Sequence, residues 1–289
     1  HVPRALRPLA ALAATLTLSL GLAGCGAGGA ASTTAATTDT GKPLVIMADV
    51  KPHSELLKKT QELGLLGDTK ITIKEISGDV DVNQLTNAGD VDANFFQHTP
   101  YLKDWNAQHN ASLVAVASVH IEPLGLYSKK VATVADTPAG AVIAIPLDAT
   151  NQARALFLLQ DAGLITLNVK ATDANLDYSQ VTQKNITGNP KNIKFRTVDR
   201  PQLAATLDDP QITLSIVNGN YALEAGLVPA KDAKFLEKAA NNPYVNVLVT
   251  TEKLKDDPRV KKVAAALESP QIAQYIKDTY QGSVLPAKG

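Results

Sequence analysis

Three short segments carry side chains whose types and spacing could do chemistry. Thr150-Asn151-Gln152-Ala153-Arg154 follows an apolar run and opens a helical pattern. A Thr or Asn cap leaves backbone N–H groups free at the positive end of a helix. An Arg one turn inside adds a bidentate fork, so the segment suits a carboxylate. Asn94-Phe95-Phe96-Gln97-His98 sets two of the chain's five Phe beside an imidazole and amides, directly after a predicted strand. Val217-Asn218-Gly219-Asn220-Tyr221 adds amides at another strand end. In α/β proteins ligands sit at such ends. Taken singly, each segment also reads as a capped helix or a satisfied core edge.

Other chemistries find less support. Asp79-Val80-Asp81-Val82-Asn83 resembles the start of a calcium loop, but the sixth position is Gln84 instead of Gly and the twelfth is Asp90 instead of a bidentate Glu. It reads as a solvated turn. No phosphate-binding glycine loop, dinucleotide fingerprint, zinc-protease helix or nucleophile elbow occurs. Of the five His, His1 belongs to a leader, and none of His53, His98, His109 and His120 lies four residues from another. A metal-capturing site built from the distant His98 and His120 stays open as an alternative, although the residues taken alone name no metal ligand set. No activated nucleophile or cofactor motif is legible, so an enzyme is not expected.

The elements that must position these groups alternate. Strands are predicted over residues 42–48, 70–76, 92–96, 141–146, 212–217 and 245–250, from apolar runs or period-two alternation. Helices are predicted over 54–63, 80–88, 151–162, 221–225, 257–267 and 270–280, with Gly64, Gly89 and Gly226 as stops. Residues 163–191 are polar with weak periodicity and read as loop or irregular helix. Strand, helix, strand is the unit of a parallel sheet, so the class is α/β. At about 150 residues per domain, 289 residues suggest two lobes.

Composition narrows the function further. Lys and Arg number 28, as do Asp and Glu, so the concentrated basic face needed for nucleic acid is not expected. One Cys, Cys25, excludes an intramolecular disulfide and a cysteine-cluster zinc site. Arg4 and Arg7 precede an uncharged run over 9–22, which spans about 21 Å as a helix against about 30 Å of hydrocarbon. That length fits a removable leader better than a membrane span. Leu22-Ala23-Gly24-Cys25 matches a lipoprotein cleavage signal, in which Cys25 becomes the acylated N-terminus. Residues 26–41 are Gly, Ala, Ser and Thr with a single acid before Lys42, a composition suited to a leash. The expected product is a lipid-anchored body on the outer side of a cell membrane, with residues 1–24 removed and 25–41 as tether.

Longer text extends these segments. Gly89-Asp90-Val91-Asp92-Ala93-Asn94, Phe96-Gln97-His98, Pro100-Tyr101-Leu102, the run from His120 to Lys130, Thr150-Asn151, Arg154-Ala155-Leu156, Val217 to Ala222 and Pro243-Tyr244-Val245-Asn246 occur in that order, with a looser Asn189-Pro190-Lys191-Asn192. In these residues the chain resembles the methionine-binding lipoproteins of bacterial ABC importers, the MetQ/NlpA type. The resemblance implies a bilobal periplasmic-binding-protein fold of type II, with lobes over 42–124 plus 246–289 and over 125–245, joined by two crossover strands. It implies that Arg154 binds the carboxylate of methionine with Asn151 beside it, that Asn218 binds the amino and carboxylate end, and that Phe96, His98, His120 and Tyr127 wall the thioether pocket. It implies a permease and its ATPase as partners and no catalysis, and a monomer is the default expectation. A related amino acid or a methionine-containing dipeptide is the alternative ligand. Three departures bear on specificity: the family usually has Tyr at Phe95, Asn at Leu147, and Gly-Pro-His where Lys51-Pro52-His53 stands.

Overall fold

The computed structural model describes residues 41–288. The expected leader, the lipidation of Cys25 and nearly all of the tether lie outside the described residues. Within them, strands β1 (Leu44–Ala48), β2 (Ile71–Glu75), β3 (Ala93–His98), β4 (Val114–Ile121), β5 (Gly125–Tyr127), β6 (Val142–Pro146), β7 (Thr166–Leu167), β8 (Ile186–Gly188), β9 (Lys194–Val198), β10 (Leu214–Val217), β11 (Phe235–Leu236), β12 (Val245–Thr250) and β13 (Leu285–Pro286) form two main sheets and a small one. The first has the order β13-β4-β12-β3-β1-β2, the second β11-β5-β10-β6-β9, and β7 pairs with β8. Helices α1 (Glu55–Glu62), α2 (Val82–Ala88), α3 (Thr99–His109), α4 (Ala149–Asp161), α5 (Gly219–Glu224), α6 (Pro229–Asp232), α7 (Pro258–Leu267) and α8 (Pro270–Tyr280) connect and cover them. None of the described helices is long and apolar enough to cross a membrane.

Each sheet has its own core. Leu44, Ile46 and Ala48 of β1 pack with Leu56 and Leu57 of α1, Val260 and Val263 of α7 and Ile272 and Ile276 of α8. Ile143 and Ile145 of β6 pack with Leu214 and Ile216 of β10 and with Ala155, Leu156 and Leu159 of α4. Helix α4 is buried on most of its circumference, its second half apolar all round from Ala155 to Leu159 and its first turns carrying the buried polar Thr150, Asn151 and Arg154. Two cores with short connections after β4 and after β11 give the bilobal α/β arrangement. Strands of the first sheet come from residues on both sides of the segment that builds the second.

Local chemistry fixes the ends that matter. Strands β1, β2 and β3 run parallel, as do β6, β9 and β10, so their carboxyl ends face one way within each sheet. Asp148 caps α4 by accepting from Asn151 N at 3.3 Å. His98 caps α3, its Nδ1 accepting from Tyr101 N at 3.1 Å, with Pro100 in the first turn. Asp257 and Ser269 cap α7 and α8. Asp81, in the rejected calcium loop, caps α2 and accepts from Trp105 Nε1 at 3.3 Å.

The sequence reading missed α3, β4, β5 and β9. Helix α3 is polar over much of its length and buries only Pro100, Leu102 and Trp105. Strand β4 is stabilised by β12 and β13, which lie far away in sequence. The segment expected to be loop over 163–191 carries the β7–β8 pair.

Candidate functional site

The cleft is built at strand ends. Asp49 follows β1, Phe96, Gln97 and His98 close β3, Asp148 and Asn151 follow β6, Arg200 follows β9, and Asn218 and Asn220 follow β10. Parallel strands direct their loops to one edge, and two such edges facing each other enclose a crevice. Its walls are Phe96, Gln97, His98 and Tyr101 from the first half, Asn151, Arg154, Arg200, Asn218, Gly219 and Asn220 from the second, with Glu122 and Asn246 beside the connections.

Hydrogen bonds determine the amide orientations. Because His98 Nδ1 accepts from Tyr101 N, its proton is on Nε2, which donates to Asn151 Oδ1 at 2.8 Å. Asn151 Oδ1 also accepts from Asn218 Nδ2 at 3.2 Å, and Asn151 Nδ2 donates to Asp148 Oδ2 at 2.8 Å. This turns Asn218 Oδ1 away as an acceptor that is buried and has no hydrogen-bond partner among the described residues. Burial pushes the His98 pKa down to about 4, with Arg154 adding to it, so the ring is neutral at pH 7.

Arg154 is 3% exposed and already held on one side. Its Nε and Nη2 donate to Glu237 at 2.8 and 2.5 Å, Nη2 also donates to Glu122 O at 2.9 Å, and the guanidinium lies 4.2 Å from the centre of the Tyr244 ring. Burial favours loss of its proton, but Glu237 outweighs this and raises the pKa. Among the described residues none accepts from Nη1. The fork is therefore oriented by Glu237 and offers the cleft its other edge.

Glu122 sits where the halves meet. Its Oε1 accepts from His120 Nε2 at 2.7 Å and lies 3.2 Å from His53 Nε2, while Oε2 accepts from Asn220 N at 3.0 Å. Burial would raise its pKa, but His53 and His120 together hold it below the usual carboxylate range. His53 Nε2 is also 2.9 Å from Asn246 Oδ1. Ligand atoms of His53, His120 and Glu122 lie within 4.8 Å of one another, a set that could hold a metal ion. His98, the other half of the alternative metal pair with His120, is bonded through Nε2 to Asn151 and is not in this set.

Of the seven residues expected to touch ligand, Phe96, His98, Asn151, Arg154 and Asn218 line the cleft, and His120 and Tyr127 do not. His120 is fully buried behind Glu122, against the rings of His53 and Phe95 at 4.9 and 5.4 Å. Tyr127 shares a strand face with Gly125, and its ring lies over that glycine: a Cβ there would fall 2.5 Å from the ring. It packs with Leu203, Leu207, Ile212 and Val217. Asn151 is a hub that orients His98 and Asn218, with its oxygen already shared between them. The departures at Phe95 and Leu147 also fall outside the cleft, Phe95 in the core by strand alternation and Leu147 exposed.

Sequence reasoning missed Tyr101, Glu122, Arg200, Glu237 and Asn246. A signal existed for Arg200, two residues beyond a strand, once β9 is recognised. Asn246 lies opposite both His98 and His120 in the ladder, a register that no local pattern announces.

Known proteins resemble this chain over most of its length. A family model described as NlpA lipoprotein matches residues 44–288. The methionine-binding lipoprotein MetQ of Bacillus subtilis is 34% identical over 246 residues, covering 85% of this chain and 88% of its own. Lipoprotein 28 of Escherichia coli is 40% identical over 210 residues, covering 73% and 75%. The structure of a nutrient binding protein from Burkholderia cenocepacia bound to methionine has a TM-score of 0.77 and 35% identity, covering 84% of this chain and 99% of its own. Lipoprotein Tp32 from Treponema pallidum gives 0.77 and 36%, covering 85% and 99%. With the family model spanning residues 44–288 and relatives 34–40% identical over most of the chain, the chain belongs to the NlpA lipoprotein family.

Proposed function

We propose that this protein is a lipid-anchored extracytoplasmic receptor that captures methionine and delivers it to an ABC importer, its permease and ATPase. The observation that carries this reading is the pairing of opposite unmet groups in one cleft. Among the described residues, Asn218 Oδ1 is a buried acceptor without a donor and Arg154 Nη1 a donor without an acceptor. A zwitterionic α-amino acid supplies both, its ammonium to Asn218 and its carboxylate to Arg154. Phe96 and Tyr101, whose rings meet edge to face at 5.9 Å, offer a thioether an aromatic wall. Relatives that bear methionine-binding names support the choice of side chain.

The halves over 42–124 plus 246–289 and over 125–245 act as lobes in this reading, and ligand that touches both selects the closed form. The receptor carries out no bond chemistry. Cys25 carries the lipid, and residues 26–41 let a monomeric body reach the permease.

The test is to purify the protein without refolding, identify any bound small molecule by mass spectrometry, and titrate the stripped protein with methionine in a calorimeter. Bound methionine and saturable binding are expected. A metal with no organic ligand, or no binding of any amino acid, overturns the reading.

A further inference from the structure

Phe96, Tyr101 and Arg200 line both the amide-lined cleft and a neighbouring cavity of about 420 Å³. They form the partition between the two spaces. Phe96 and Tyr101 come from β3 and α3 of one half, and Arg200 follows β9 in the other. The partition is complete only where the halves meet.

Arg200 is not a loose side chain in that wall. Its Nε lies 3.1 Å from Asp148 Oδ1, and its guanidinium lies over the Tyr101 ring, 5.0 Å from the centre. Burial works against its charge, but Asp148, with Tyr101, Tyr221 and Asp49, outweighs this and raises its pKa. A guanidinium is weakly hydrated across its flat face, which suits it to lie on a ring and to border an apolar group. Held by a carboxylate on one side and by a ring beneath, it cannot swing away without losing both contacts. Asp148 divides its carboxylate between two tasks: Oδ2 accepts from Asn151 Nδ2 at 2.8 Å, and Oδ1 fixes Arg200. One side chain therefore sets both the hub of the cleft and its partition.

We infer that Arg200 is a specificity-determining residue: laid on Tyr101 across the halves, its guanidinium is the end wall of the side-chain pocket and limits the ligand to an α-amino acid with a side chain about as long as that of methionine. The inference rests on the reading that Arg154 and Asn218 hold the α-carboxylate and α-ammonium. A thioether lying along Phe96 and Tyr101 then ends at Arg200. A longer chain must displace a guanidinium pinned by two partners. With the guanidinium removed, the cleft opens into the neighbouring cavity and the added methylenes find room.

The test titrates the ligand-stripped full chain with L-methionine and with S-butyl-L-homocysteine, which share the α-amino acid end and the thioether and differ only in the S-alkyl length. The wild type is expected to bind methionine about tenfold or more tightly. In Arg200→Ala that ratio falls to about threefold or less. Should this variant not fold, Arg200→Gln, released from Asp148 and Tyr101, is read in the same way. A loss of affinity shared equally by both ligands keeps the ratio at its wild-type value and overturns the assignment, because a role through Asp148 and Asn151 alone would produce it. Equal affinities in the wild type overturn the inference and leave the methionine reading standing. If the wild type binds neither compound, the amino-acid reading fails, and this inference with it.

Discussion

His98 and Asn151 are joined by a hydrogen bond of 2.8 Å that links the half built on β3 to the half built on β6. The cap that His98 makes on α3 sets the tautomer, the tautomer sets the Asn151 amide, and that amide sets Asn218. A helix-capping contact therefore determines which atom of Asn218 the cleft presents.

His98→Ala removes both the cap and the link between halves. A stability loss of about 1–3 kcal/mol is expected. Affinity for the amino-acid ligand falls as well, since the Asn218 amide is free to turn. Urea unfolding and calorimetry check the two effects separately, and unchanged affinity would refute the orienting role.

Arg154 and Glu237 form a coupled pair. Arg154→Ala abolishes tight binding and also destabilises the fold by about 3 kcal/mol, because Glu237 is left with its charge unpaired. Glu237→Gln in the same chain restores much of the stability and none of the binding. A double-mutant cycle read by thermal unfolding and by ligand titration distinguishes this from two independent effects.

The pKa values of His53 and His98 are lowered to about 4, chiefly by burial. The unfolded chain, with histidine near 6.5, takes up these protons first as pH falls. Stability is complete above about pH 6.5 and declines as pH falls toward 4, by about 2 kcal/mol per ring at pH 5. Glu122, with its pKa lowered, loses its contribution in the same direction at lower pH, and Asp49, raised, acts in the opposite one. Urea midpoints at pH 7.5, 6 and 5 should fall in that order. A rise would mean the rings are charged in the folded state.

Gly219→Ala tests the junction at Glu122. A Cβ at 219 would stand 2.9 Å from Glu122 Cβ, a short branch atom with little room to move. Displacing it breaks the bond from Asn220 N to Glu122 Oε2. A stability loss of about 1–3 kcal/mol is expected, together with weaker ligand binding. Wild-type values in both measurements would show that the junction yields without cost.

The sequence by itself determined what local patterns and chemistry can encode. Apolar runs followed by caps located β1, β6, β10 and α4, and strand-end position marked Phe96, His98, Asn151, Arg154 and Asn218 as neighbours of one crevice. Run order made the family resemblance specific. What the tertiary structure decided were partners distant along the chain. Glu237 lies 83 residues from Arg154 and takes half of its fork, and Asn246 lies 193 residues from His53. His120 and Tyr127 turned away from the cleft because strand pleat and packing choose a side chain's face, and composition cannot. Hydrogen-bond direction and burial are properties of the assembled chain, so the ligand's class is written in the sequence only through the fold.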